Sequence, residues 1–305
     1  MLKFYLIIFI ADLLWAAGFV GARWTMLEYS PLVTNALRYI FSGLILLPFI
    51  LYRRSYVRRW KDLWPPIAAG ICTFFTLFFN SWGLSLTSVS KAGFLTSMYV
   101  VMIPVASIIL YHYRYPKKVW AMIALALVGM FLLCDAHWSS FNLGDMLVLI
   151  SAVFSCGQIM VIGRFVNRQR SPADLCALQV FCAGLIGLGA FWCAPGPMDW
   201  RPLVGLGHFG WLPLFGLLIM VVGCTVIASF LQIWAQKRVE SAIAGVLFLL
   251  EAPLAVVFAW LVFDEYLKPL NYLGCAMILG ACIVLSLEGG RKPGVRKATK
   301  MVKNF

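Results

Sequence analysis

The chain has 305 residues, of which 62% are hydrophobic and only 12% charged, and its formal net charge is +13. A soluble domain runs about 45–50% apolar and about 25% charged, so this composition excludes an ordinary globular fold and indicates an all-α membrane protein. The positive charge sits in short loops between apolar stretches, which marks orientation in a membrane and argues against a nucleic-acid partner.

A bilayer core of about 30 Å takes about 20 apolar residues per helix. In chain order, ten segments meet this need: 4–24, 32–51, 65–84, 91–111, 119–134, 144–163, 172–193, 211–234, 241–263 and 270–287. The first reads as a retained helix rather than a cleaved leader, because Arg23 and Trp24 close a full-length span with no small-residue cleavage site. Basic residues gather in alternate connections. Lys3 precedes helix 1; Arg53, Arg54, Arg58, Arg59 and Lys61 follow helix 2; Arg114, Lys117 and Lys118 follow helix 4. Arg164, Arg168 and Arg170 follow helix 6, Lys237 and Arg238 follow helix 8, and six more lie beyond helix 10. Of the 25 Lys and Arg residues, only Arg23, Lys91, Arg201 and Lys268 fall on the other side, and Arg38 lies within a span. Cytoplasmic loops are the basic ones, so both termini are expected in the cytoplasm of a multi-pass inner-membrane protein.

The two halves repeat. Thr73, Asn80 and Trp82 recur as Thr225, Gln232 and Trp234, each 152 positions later. Thr73, Thr76, Asn80 and Gly83 step by three or four, as do Thr225, Ser229, Gln232 and Gln236, so each set forms a polar stripe on one helix. Five helices per repeat is an odd number, which forces the second repeat to be inverted in the membrane. The loops agree, since Tyr113-Arg114-Tyr115-Pro116-Lys117-Lys118 after helix 4 becomes Asp264-Glu265-Tyr266-Leu267-Lys268 after helix 9. The expected organisation is a first repeat over 1–136, a second over 137–288, and a disordered basic tail over 289–305 near anionic lipid. Inverted repeats meeting at a midplane polar site are the architecture of secondary transporters. Helices 1–4 and 6–9 are expected to form the cavity, with helices 5 and 10 as buttresses.

Charged groups inside a bilayer cost about 2.5–3.5 kcal/mol even on lenient scales, so Asp12, Arg38 and Glu251 lead the list of functional candidates. Asp12 lies about 12 Å into helix 1, with Trp15, Phe19 and Arg23 on its face. Its functional role would be proton coupling; the alternative is a structural hydrogen bond or ion pair. Glu251, about 15 Å into helix 9, is the second proton-coupling candidate, and Pro253 nearby frees a backbone carbonyl. Arg38 either neutralises Asp12, binds a substrate carboxylate through its forked donors, or snorkels outward; Gln179 occupies the matching place in the second half. Tyr99 falls at the place in helix 4 that corresponds to Glu251.

The candidate substrate-binding lining is Trp15, Phe19, Arg38, Thr76, Asn80, Tyr99, Gln158, Gln232 and Trp234. For the small polar residues the alternative is interhelical hydrogen bonding, at about 0.6 kcal/mol each. Trp82 and Trp234 also suit interfacial anchoring, Lys91 suits a snorkelling anchor, and Asp264 and Glu265 suit solvated loop charges. Gly129, Gly274 and Gly280 should permit close helix contacts, and a Gly274–Ala281 surface leaves a homodimer open. Nine cysteines lie in or beside apolar stretches without metal-ligand spacing, and no nucleotide-binding loop is present, so neither metal nor cofactor is expected.

Several segments together resemble the EamA-like proteins of the drug/metabolite transporter superfamily. They are Leu14-Trp15-Ala16-Ala17-Gly18-Phe19, Ser30-Pro31, Ala36-Leu37-Arg38-Tyr39, Leu86-Thr87-Ser88 and the run from Ala92 to Val101 with Pro104. Leu250-Glu251-Ala252-Pro253 followed by Asp264-Glu265 resembles the closing signature of that family. Two departures stand out: Ala252 separates the Glu from the Pro, and Asp264 stands where the family usually has glycine, so the turn after helix 9 is expected to differ. The resemblance implies a ten-helix inverted-repeat carrier of small metabolites, often outward and often with protons.

Together these readings give a proton-coupled exporter of small polar metabolites such as amino acids, working by alternating access. An organic-cation efflux carrier is the alternative, favoured by two buried acids among aromatic rings. A non-transporting receptor or assembly subunit is a further one. An enzyme is not expected, because His112, His137 and His208 are scattered over different loops and no catalytic motif appears.

Overall fold

A computed structural model describes residues 2–52, 60–134, 141–192, 199–264 and 268–288. The basic residues 53–59, His137, Cys193, Glu265 and the 289–305 tail lie outside the described residues, as does the expected repeat boundary at 136/137.

The chain forms α1 (Leu2–Thr25), α2 (Pro31–Tyr52), α3 (Trp60–Leu84), α4 (Val89–Thr96), α5 (Tyr99–Tyr111), α6 (Lys117–Leu133) and α7 (Leu143–Phe165). Then come α8 (Pro172–Trp192), α9 (Leu212–Leu218), α10 (Ser229–Gln236), α11 (Ser241–Leu247), α12 (Glu251–Phe263) and α13 (Pro269–Glu288). These make ten spans, the fourth from α4 and α5, the eighth from α9 and α10, and the ninth from α11 and α12. Nine spans are 19 to 25 residues long and apolar enough to cross a bilayer. The remaining one, α6, has 17 residues; at about 1.5 Å each it is within a few ångströms of the hydrocarbon thickness.

The fold is two inverted five-helix repeats, and they interlock by exchanging neighbours. Span 3 packs along span 6, and its counterpart span 8 packs along span 1; span 2 lies on span 7, and span 5 on span 10. Glycines let these helices approach. A Cβ on Gly129 would lie 2.8 Å from the Gly274 carbonyl oxygen, and one on Gly184 would lie 2.8 Å from that of Tyr39. The Gly274 face is therefore used between spans 5 and 10, whereas nothing approaches Gly280 within 4 Å.

Spans 4 and 9 are not the continuous helices expected from hydropathy. Span 4 breaks at Ser97 and Met98, where the Ser97 hydroxyl donates to the Phe94 carbonyl and competes with the helical ladder. Span 9 narrows to a 3-10 turn at Phe248–Leu250. Pro253, in the first turn of α12, has no N–H to give that turn's carbonyls. Both breaks obey the repeat: α5 and α12 begin at Tyr99 and Glu251 and end at Tyr111 and Phe263, 152 positions apart at each end. The helix starts match too. Ser88 and Glu240 are both extended N-caps whose side chains accept backbone N–H bonds.

The ends match in the same way. His112 and Asp264 are left-handed C-caps with φ of 54° and 52°. Asp264 therefore keeps the glycine-type conformation at that position, which Asp tolerates better than most residues. A β-branched residue would not fit, so Asp264→Val is expected to cost about 1–2 kcal/mol, measurable as a lowered thermal unfolding midpoint in detergent.

Candidate functional site

The helix breaks place Tyr99 and Glu251 at the start of α5 and α12, deep in spans 4 and 9. The two half-helix pairs cross there: a Cβ on Gly245 of α11 would lie 2.8 Å from Ile103 Cδ1 and 3.8 Å from Tyr99 Cε2. Asp12 of α1 is fully buried, and neither carboxylate oxygen has a hydrogen-bond partner among the described residues. Its charge interacts with Glu251, and Tyr99 lies within electrostatic reach of both acids. Glu251 and Tyr99 each keep part of their surface accessible.

Arg38 reaches this group from α2, and its charge bears on Glu251. Its Nε donates to Thr225 Oγ1 at 2.6 Å, and its guanidinium sits 5.7 Å from the centre of the Tyr39 ring. Thr225 lies in a π-helical stretch, Ile219–Ala228, and its hydroxyl donates to the Met220 carbonyl five residues back. Such wide turns mark sites where regular helix geometry has been given up. In the other half, Gln179 Nε2 donates to Thr73 Oγ1 at 3.1 Å. Gln179 is the counterpart of Arg38, and Thr73 that of Thr225, so one cross-repeat contact occurs twice with a charge in only one copy.

Trp15 closes one wall. Its Nε1 donates to the Cys224 carbonyl at 3.1 Å, and its ring meets Phe248 edge-on at 5.5 Å. Thr76 accepts from Ser155 of α7 at 3.4 Å, and Asn80 Nδ2 donates to Thr96 at 2.7 Å, so both tie helices together. Gln232 is buried with its Oε1 unpartnered among the described residues, and Gln158 is half-buried on α7.

The other candidates sit elsewhere. Phe19 is 57% exposed. Trp234 packs beneath Lys3, whose Nζ lies 5.1 Å from the ring centre, close to the membrane surface. Trp82 rims a cavity of about 360 Å³ between α2 and α3, lined also by Asn35, Phe74, Phe78 and Ser81.

The EamA-like transporter family matches residues 2–134 and 142–287. The chain belongs to this family. An uncharacterized transporter of Archaeoglobus fulgidus is 30% identical over 276 residues, spanning 90% of this chain and 83% of its own. A Rickettsia prowazekii protein named as an S-adenosylmethionine uptake transporter is 19% identical over 81% of this chain and 80% of its own. A solved structure superimposes with a TM-score of 0.74 at 21% identity, covering 95% of this chain and 98% of the other, which shows the shared fold. The EamA-like chain is thus a multi-pass membrane transporter.

Lys91 is the clearest correction to the expectation of a snorkelling anchor. It is buried at 8% exposure, and its Nζ bonds Asp145 Oδ2 at 2.5 Å. Asp145 also accepts from the Thr87 hydroxyl and completes a capping box with Asn142 at the start of α7. The pair is sealed from solvent but lies at the shallow end of its spans, where it joins the start of span 4 to the start of span 6. Hydropathy gave no sign of it, because the partners are 54 positions apart.

Proposed function

We propose that this chain is a proton-coupled inner-membrane carrier that moves small zwitterionic metabolites of the amino-acid type outward by alternating access. The observation that carries this reading is the convergence of Asp12, Glu251 and Arg38 from spans 1, 9 and 2 beside two broken helices. Two acids share one counter-charge, so simple charge counting leaves one carboxylate to carry a proton. Arg38 spends only its Nε on Thr225; its terminal nitrogens have no hydrogen-bond partner among the described residues and suit a carboxylate. The Glu251 carboxylate, also without a hydrogen-bond partner among the described residues, suits an ammonium group. Trp15, Phe248 and Tyr99 supply aromatic walls, and Gln232 and Gln158 further polar groups.

In this mechanism one repeat, residues 1–136, rocks against the other, 137–288, with both termini in the cytoplasm. Proton binding at Asp12 and release of the ammonium group from Glu251 would alternate, so that substrate and proton travel in opposite directions. The name of the Rickettsia relatives fits this chemistry, since S-adenosylmethionine carries an amino-acid head group. A second reading, an organic cation held by the two acids and the rings, is favoured by the unpartnered Asp12 carboxylate.

The test is uptake of a labelled amino-acid mixture into proteoliposomes, with and without an imposed pH gradient. Accumulation above equilibrium that collapses with the gradient is the expected result. Gradient-driven movement of an organic cation, with no amino acid moved, would replace the first reading by the second.

A further inference from the structure

A polar cavity of about 150 Å³ opens where spans 4 and 6 end and span 9 begins, at one membrane face. At about 30 Å³ per water it holds roughly five waters, the size of a head group. Its walls carry Arg164, Glu240, Tyr111, Tyr113, Ser107 and Ser241. The Arg164 guanidinium lies over the Tyr111 ring at 4.8 Å and makes no hydrogen bond or ion pair among the described residues. Its donors are therefore held in place by stacking and left open to an acceptor.

Glu240 is fixed differently. One carboxylate oxygen accepts from the Tyr115 hydroxyl at 2.7 Å, and the other accepts from the Ala242 and Ile243 N–H groups. These bonds keep its negative charge aimed along one wall, although burial pulls the other way and pushes its carboxyl up. Burial and the Glu240 charge together push the Tyr115 phenol up, so it remains a donor to Glu240. The cavity thus offers one cation with free donors and one anchored anion across a head-group-sized space.

We propose that this cavity is a cytoplasmic vestibular subsite that captures an amino-acid head group before it reaches the Arg38–Glu251 site. Arg164 takes the carboxylate, and Glu240, with the adjacent Tyr111 and Tyr113 rings, takes the ammonium. The inference rests on the amino-acid reading above, and its test is separate from transport.

Ser241→Cys places a thiol on the cavity wall. Its alkylation by a membrane-impermeant maleimide is followed in the full-length protein, with and without the amino-acid mixture. Protection is expected, and Arg164→Gln should raise the concentration needed for half-protection about tenfold, the loss of one charge-assisted contact. Arg164→Lys should fall between the two. Arg168→Gln removes a charge just beyond the end of α7, outside the cavity, and should change nothing. Absence of protection, or protection undiminished in Arg164→Gln, overturns the subsite. Transport without protection removes the subsite and leaves the carrier; protection without transport removes the carrier and leaves the subsite.

Discussion

Asp12→Asn is expected to abolish the effect of a pH gradient on transport while leaving the protein folded and able to exchange substrate. The side chain is nearly isosteric, and neither carboxylate oxygen of Asp12 has a hydrogen-bond partner to lose among the described residues. The stability change should therefore stay within about 1 kcal/mol, the range of a single net hydrogen bond. Function should respond far more. With a neutral amide at position 12 the site can no longer exchange a proton, so accumulation falls to the equilibrium level while counterflow of preloaded substrate persists. Proteoliposome uptake and counterflow, measured side by side on wild type and Asp12→Asn, separate these outcomes. Unchanged gradient-driven accumulation would remove Asp12 from the coupling step and leave Glu251 to carry it.

What the sequence made legible followed from periodicity. Long apolar runs delimit the spans because a bilayer leaves few other ways to satisfy the backbone. The polar stripe at Thr73 and Thr225 reported the inverted repeat because equivalent residues do equivalent jobs, and the Gln179–Thr73 and Arg38–Thr225 contacts are that job. The breaks in spans 4 and 9 were less visible. Pro253 gives a cue in one half, but in the other the only local signal is Ser97, whose hydroxyl can bond backward in any helix. The choice of partners was hidden altogether. Nothing in the residues around Arg38 says that its charge bears on Glu251 rather than Asp12, because the selection is made by how three helices cross. Trp234 repeats Trp82 in sequence, and Lys3 at the start of α1 covers it, a contact between distant segments that local sequence does not report.

The Lys91–Asp145 pair carries the second large effect, and it acts on stability. Removing one partner of a buried pair leaves the other charge without compensation, at a cost of about 3–5 kcal/mol in a deep site. This pair is sealed but shallow, so Lys91→Met is expected to cost about 2–3 kcal/mol. Asp145→Asn should cost less, because the amide oxygen can still accept from the Asn142 N–H of the capping box while its Nδ2 donates to the Thr87 hydroxyl. The double variant Lys91→Met/Asp145→Asn removes both charges and should recover part of the loss. Thermal unfolding of the four proteins in one detergent closes the double-mutant cycle and isolates the coupling. Additive single effects would show that the two side chains do not depend on each other. Because the pair joins the start of span 4 of one repeat to the start of span 6 of the other, any motion between the repeats must either carry it as a pivot or break it. A pivot predicts that Lys91→Met lowers stability with little change in the transport rate of the protein that remains folded. A latch that opens each cycle predicts a faster outward opening and an altered rate, so the same variants, assayed for turnover, assign the pair to one role or the other.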